Sequence, residues 1–416
     1  MLNPAAPFRA ALRERDLRLL FAGQAASDAG DWLYNLALLA LVYDRTGSAS
    51  WVGIATAARM LPLVALGPLG GVAADRFDRR RLMIASDVLR AACMVALALV
   101  ALSGAPIVLA PALAALSAAA GAAYPSCVLA LVPRLVRDDA NLPAANAARV
   151  SIMHLCVVVG PVLGAGLLLV GSTVAAFAVN AATFLLGAMV VTALPREALR
   201  RPAVAHDQKR STLRAELLGG WDALRGYPDA LPLVGAHIVA SAAYGALTVL
   251  FVLVSERLGL GTAGYGYLIA AVGVGGVLAA GVAERAAASH RTRFTLAAAV
   301  VALGAPVPII AVAGWLPAVL LVAAMVGAGS LVSEVVADTA MQRSLDPAVF
   351  ARAYGLVLPV ALGGIVVGAL LAPACVSLLG LDGTLVLVGA ITVAYGAVIV
   401  VVGWGRRRQV ALPQPA

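Results

Sequence analysis

The chain has 416 residues, of which 62% are hydrophobic and only 12% charged, and its mean hydropathy is +0.96. A soluble globular protein is roughly half apolar and a quarter charged, so a water-soluble globule is excluded and a multi-pass membrane protein is indicated. The formal net charge of +9 does not point to nucleic acid, because the basic residues are spread over short loops and do not gather on one face.

Apolar runs of about 20 residues are long enough to cross a bilayer as helices, and the alternating ten-residue pattern of a membrane barrel is not present. Taken in order, the runs predict twelve spans at about 17–43, 49–74, 82–102, 106–132, 146–170, 173–194, 229–255, 263–283, 294–313, 317–341, 352–379 and 383–404. The first is too long and too interrupted for a cleaved signal peptide. The four cysteines, Cys93, Cys127, Cys156 and Cys375, fall inside apolar segments without metal-ligand spacing, so neither a disulfide nor a metal site is expected.

Sidedness follows from Arg and Lys. Twenty-five of the thirty lie at the two ends or in the even-to-odd loops, whereas the opposite loops hold only Arg45 and Arg257. Both termini are therefore expected in the cytoplasm. Residues 195–228 form the longest polar stretch and divide the spans six and six. The expected organisation is an N-terminal six-helix bundle (1–194), a cytoplasmic linker (195–228) and a C-terminal bundle with a basic tail (229–416). Within the linker, Leu213, Leu217, Trp221 and Leu224 recur at helical spacing among arginines, as in a helix lying on the membrane surface. Gly71-Val-Ala-Ala-Asp-Arg at the end of span 2 is echoed by Gly281-Val-Ala-Glu-Arg at the end of span 8, the layout of parallel six-span repeats.

The hairpin between spans 2 and 3 reads Gly71-x-x-x-Asp75-Arg76-x-x-Arg79-Arg80, with Asp87 and Arg90 just beyond in span 3. It resembles the loop signature of the major facilitator superfamily, except that Asp78 stands where a second glycine is usual. The resemblance implies a conformational-switch loop in which the glycine permits close helix approach and the acid faces the N-terminal end of span 11. Asp87 and Arg90, one turn apart, are expected to pair locally and brace it. Gly160-Pro161-x-x-Gly164 in span 5 is similar to the antiporter signature of that superfamily. The stretches from Gln24, Ala58 and Glu256 resemble the branch containing the bacterial enterobactin exporter and the macrolide efflux proteins. The implied fold is all-α, with twelve helices in two pseudo-symmetric bundles, and the implied activity is export.

Charges at membrane depth carry what the residues say about mechanism. By helical rise, Asp31 lies about 20 Å and Arg59 about 24 Å from the inner ends of spans 1 and 2, which predicts an Asp31 to Arg59 ion pair facing the bundle interior. Asp28 lies one turn from Asp31, so the acids compete for one cation and one of them can carry a proton. That pair is either the proton site or a static brace. Glu334 in span 10, with Asp338 nearer the cytoplasm, is a second candidate, while Arg149, His154 and His237 are weaker ones. Gln24, Asn35, Tyr124, Ser151, Asn180 and Tyr244 offer polar or aromatic groups to a mid-membrane substrate cavity.

These features predict a secondary transporter that exports a small, lipophilic molecule, whether drug, natural product or siderophore, by proton antiport. It would act as a monomer in the inner membrane, with no cofactor and the proton gradient as its energy source. An importer or uniporter of the same fold is the first alternative. A membrane transferase is the second, suggested by Asp28-x-x-Asp31 but lacking a matching acid-rich loop at an aqueous edge where a metal could bind.

Overall fold

The computed structural model describes residues 14–136, 141–169, 173–199, 227, 230–345 and 347–401, nearly all of them helical. Helices α1 (Arg15–Thr46), α2 (Ala49–Arg76) and α3 (Arg79–Leu102) are spans 1 to 3. Span 4 is divided into α4 (Leu109–Gly121) and α5 (Tyr124–Leu135). Helices α6 (Leu142–Leu169) and α7 (Thr173–Ala193) are spans 5 and 6, and the single turn α8 (Arg196–Leu199) follows. In the second half, α9 (Leu231–Arg257) and α10 (Gly261–Ala288) are spans 7 and 8, and span 9 is divided into α11 (Thr292–Gly304) and α12 (Ile309–Val312). Helix α13 (Leu316–Ser344) is span 10, and α14 (Pro347–Val401) holds spans 11 and 12, which turn into each other at Gly380, with φ 72°.

Among the described residues, nine helical stretches are long and apolar enough to cross a membrane, and one of them, Pro359–Val401, is the folded pair. With α1 and α6, of 32 and 28 residues, the total is twelve, in agreement with the hydropathy reading. The predicted linker helix at Leu213–Leu224 and both chain ends lie outside the described residues.

The break in span 4 has a local cause. Proline has no N–H, so Pro125 cannot donate to the carbonyl of Gly121, and the helix is interrupted there. The break turns Tyr124 and Pro125 toward the interior of the first six spans. Span 9 is interrupted in the same way by Pro306 and Pro308, between α11 and α12.

Apolar packing differs between the two membrane halves. In the outer half, Leu36, Leu39 and Val42 of α1 and Val52 of α2 share one core with Leu250 and Phe251 of α9, Leu268 of α10 and Ala369 of α14. In the inner half, the core of the described residues is two separate bodies. One is built on Leu17, Phe21, Met83 and Leu131, the other on Leu233, Leu296, Met341 and Ile399. The molecule is therefore sealed at its outer end and parted at its inner end. The seal depends on close contact between α2 and α14, because a Cβ added to Gly53 would lie 2.4 Å from the Ala369 carbonyl oxygen.

The outer ends of spans 1 and 7 are built alike. Asp44-Arg45-x-Gly47 and Glu256-Arg257-x-Gly259 both end in a glycine at positive φ, 60° and 70°, the helix-stop geometry that glycine accepts without strain. Arg45 donates to the carbonyl of Ala105 at 2.9 Å, in the turn after span 3. Arg257 donates to the carbonyls of Ile310 and Ala311, in α12 at the outer end of span 9, and pairs with Asp382. The acids of the two motifs, Asp44 and Glu256, lie in each other's field across the seal, where like charges oppose closure.

Two substitutions test this seal. Gly53→Val should prise the outer ends apart, lengthening the distance between spin labels at positions 48 and 260, whereas Asp44→Asn should shorten its average by removing the repulsion. An unchanged distance distribution in both variants would contradict the assignment of the seal to these contacts.

Candidate functional site

Between the two sets of six spans, a cavity of about 490 Å³ is walled by α1, α2, α9, α13 and α14. A second cavity of about 220 Å³ lies within the first six spans, among α1 to α5. Asp31 and Arg59 belong to both walls, so these two side chains stand where one space meets the other.

The predicted Asp31 to Arg59 ion pair does not form. Instead Arg90 of α3 donates from Nη2 to Asp31 Oδ2 at 2.7 Å, and the Asn180 amide of α7 donates to Asp31 Oδ1 at 3.4 Å. Helical rise placed Asp31 and Arg59 at one depth, but depth does not fix the direction in which a side chain leaves its helix. The Arg90 guanidinium also covers the Phe184 ring at 3.9 Å, a contact that suits a weakly hydrated planar cation. Around the pair, Thr183 donates to Asn180 Oδ1 at 3.0 Å. Gly30 leaves the space these groups occupy, since a Cβ there would lie 2.3 Å from Asn180 Oδ1.

Asp87 is fully buried, and its nearest Arg90 nitrogen is 4.0 Å away. The expected local Asp87 to Arg90 brace is thus secondary to the bond from span 3 to span 1. Gly187 makes room for Asp87, because an added Cβ would come within 2.9 Å of its carboxylate. Asp28 lines the smaller cavity and feels the charges of Asp31, Arg90 and Arg149. The first six spans therefore gather Asp28, Asp31 and Asp87 with Arg90 and Arg149, and of these Asp87 is the one fully buried. Among the described residues Arg59 has no ion-pair partner, and its Nε is buried without an acceptor. A cation left so at the centre of a span costs about 2.5–3.5 kcal/mol on insertion scales.

In the second half, His237 Nε2 of α9 lies 3.1 Å from Asp338 Oδ1 of α13, so Asp338 is an interhelical partner and not a merely solvated acid. Glu334, one turn away on α13, lines the larger cavity with His237 and Tyr244. Gln24 and Tyr124 line the smaller cavity. Two other cavity candidates are elsewhere. Asn35 is 2% exposed and lies in the outer core, and Asn180 is fully buried, holding Asp31. The side chains of Ser151 and His154 lie outside the described residues. Trp32, which sequence reasoning passed over, lines the larger cavity; its signal was adjacency to Asp31.

The loop signature acts through caps. Asp78, in place of the usual glycine, caps the start of α3 by accepting from Arg81 N at 2.9 Å. Arg79 is buried and donates to the Ala74 carbonyl at 3.0 Å, and Arg80 donates to the Thr192 carbonyl at the end of α7 at 2.6 Å. Both arginines thus meet helix C-termini, where cations are favoured. Arg76 closes α2 as its last residue, while the surroundings of Gly71 and Asp75 lie outside the described side chains. In the span 5 motif, a Cβ at Gly160 would lie 2.4 Å from Trp32 Cβ, and one at Gly164 would lie 3.2 Å from Leu36 Cδ2, while Pro161 is buried. These residues let α6 approach α1 beside Asp31.

The twelve helical spans of the described residues, closed at one end around a charged cavity, make up a multi-pass membrane protein. Residues 20–360 match the Major Facilitator Superfamily profile, and the chain belongs to that family. It is 31% identical over 189 residues to the multidrug efflux pump Tap of Mycobacterium tuberculosis, covering 44% of this chain and 45% of Tap. It is 35% identical over 82 residues to macrolide efflux protein A of Streptococcus pyogenes, covering 20% of each chain. The matched stretches span less than half the length of these curated relatives. The fold is also that of a solved POT family transporter in complex with a thioalcohol-conjugated peptide, with a TM-score of 0.71 at 15% identity over 93% of this chain and 96% of that one.

The packing at the motifs makes two predictions. Gly160→Ala should overpack α6 against Trp32 and lower stability by about 1–3 kcal/mol, read as a lower melting temperature of the purified protein. Gly166→Ala, with no atom within 4 Å of the added carbon, should melt as wild type. Asp78→Ala should cost about 1 kcal/mol and Asp78→Gly only a few tenths, since glycine is a tolerable cap. Equal melting of Gly160→Ala and Gly166→Ala, or of both Asp78 variants and wild type, would contradict these roles.

Proposed function

We propose that the chain exports a small, lipophilic molecule across the inner membrane of a bacterium by proton antiport, alternating between inward-open and outward-open states. The observation that carries this reading is the Asp31 carboxylate, placed where the two cavities meet and held by Arg90 from a neighbouring helix. Cargo enters the larger cavity through the parted inner end, and its apolar body packs on Trp32, Met60, Leu362 and Ile365. Closure of the inner end and opening of the outer seal then expose the site to the far side. A proton taken up there neutralises Asp31 and loosens its bond to Arg90. A hydrogen bond between charged groups is worth about 1.5–3 kcal/mol, enough to move a two-state equilibrium by about ten- to a hundredfold. Return to the inner side releases the proton and re-forms the pair. Asp28, in the same cavity, relays the proton, and Glu334 completes the charged wall on the opposite side.

Export is supported by the efflux activity in the names of Tap and macrolide efflux protein A. Proton coupling is supported by acids held at membrane depth, the position at which ionisable groups in transporters carry protons. On this reading the energy source is the gradient, no cofactor takes part, and one chain completes the pathway.

Inverted vesicles with an imposed pH gradient test the proposal, using fluorescent lipophilic probes of positive, neutral and negative charge. Wild type should accumulate at least one probe and lose that accumulation when the gradient is collapsed. Asp31→Asn, which keeps a hydrogen-bonding oxygen but cannot ionise, should reduce gradient-driven accumulation at least about tenfold on the same free-energy scale, and Glu334→Gln should reduce it less. Transport that survives collapse of the gradient would end proton coupling, and an Asp31→Asn protein pumping as wild type would end the assignment of the coupling acid.

A further inference from the structure

We propose that the exported molecule carries an acidic group, a carboxylate or a similar oxyanion on an apolar body, and that Arg59 is the residue that recognises it. This inference rests on the export reading above and specifies its substrate class.

Arg59 lines both cavities at their junction, and among the described residues it has no carboxylate partner, while Arg90 is occupied by Asp31. Its Nε is buried without an acceptor. Tyr34 of α1, Tyr244 of α9 and Tyr265 of α10 stand within the field of its charge. The Tyr34 hydroxyl is buried with no hydrogen-bond partner, whereas that of Tyr265 lies beside the Thr248 hydroxyl. Two donors without acceptors, the Arg59 Nε and the Tyr34 hydroxyl, thus stand on the wall of one cavity. Buried polar groups are ordinarily paired, so the set lacks an acceptor, and one bearing negative charge satisfies the guanidinium as well. The guanidinium fork accepts a planar carboxylate through two parallel bonds. Next to it, Trp32, Met60, Leu362 and Ile365 form an apolar wall, so the matching ligand is an amphiphile with an acidic head.

The acids of the first six spans do not meet this need in the inward-open state, and Glu334, across the larger cavity, has an interaction of its own. Asp31 is bound by Arg90 and Asn180, Asp28 makes no ion pair with Arg59, and Asp87 is buried on the far side of Arg90 against Gly187. The consequence is a division of labour between two arginines, one holding the coupling acid and the other holding the cargo.

The test is equilibrium binding of three isosteric probes, 1-naphthylacetate, 1-naphthylacetamide and 2-(1-naphthyl)ethylammonium, to the full chain in phosphatidylcholine nanodiscs without a pH gradient. Wild type should bind the acetate about ten- to a hundredfold more tightly than the amide, the range for a charge-assisted hydrogen bond. Arg59→Gln should erase that preference, and Arg59→Lys, which keeps the charge but loses the fork, should keep part of it. Nanodiscs containing phosphatidylglycerol separate cargo from lipid: the acetate preference should persist there, and its loss would assign the site to a lipid headgroup and overturn the proposal. Equal wild-type binding of acetate and amide, tightest binding of the ammonium probe, or a preference that survives Arg59→Gln would also overturn it. If Arg59→Gln does not fold, the wild-type ranking and Arg59→Lys still decide. An intact acetate preference in a protein that fails to export in vesicles would remove the proton-export reading and leave the binding assignment standing.

Discussion

A charge inside a membrane has to be answered by another charge, and the first half of this molecule is arranged around the answer given to Asp31. The carboxylate is held by Arg90 from α3 and by Asn180 from α7. Three helices are thereby tied through a pair whose guanidinium is largely buried and whose carboxylate faces the cavities. Gly30, Gly160 and Gly187 each leave space for a group at or beside this junction. The glycines, the pair and the cavities are therefore one arrangement: small residues let the helices close on the charges, and the charges define the wall where the two cavities meet.

The same physics separates the two ends. Outside, continuous apolar packing across both halves gives a seal that is stable as long as the Gly53 contact survives and the repulsion of Asp44 and Glu256 is outweighed. Inside, two independent cores let the halves part without unfolding either. A transporter needs both ends to be marginal, because a seal that was much stronger than the coupling energy would never open. One like-charge pair at the outer seal and capping arginines at the inner loop are weights of that modest size.

Much of this was legible in the sequence, and the limits were specific. The span number, the six-and-six division and the membrane setting followed from apolar run length and the distribution of arginine, since both report directly on the solvent. The motif loop is readable in the sequence, but its contacts are not: Asp78 stands as a departure from the pattern until its carboxylate is seen capping α3, and nothing in the motif places Arg79 and Arg80 on helix-end carbonyls. The ion pair was misassigned because depth can be counted along a chain while the rotation of each helix cannot. Asp87 and Arg90, one turn apart, do form the local pair at 4.0 Å, but the shorter bond of Arg90 goes to Asp31. Asn35 and Asn180 were equally polar on apolar helices, and only packing showed that one faces the outer core and the other the acid. Trp32 and the His237 to Asp338 contact were hidden for the same reason.

The central claim is that Arg90, not Arg59, is the partner of Asp31, and a pair of double-mutant cycles on the thermal stability of the purified protein tests it most directly. Asp31→Asn combined with Arg90→Gln should show a coupling energy of about 1 kcal/mol or more, as contacting residues do, while Asp31→Asn with Arg59→Gln should be additive within about 0.5 kcal/mol. Additivity between positions 31 and 90 together with strong coupling between 31 and 59 would contradict the account.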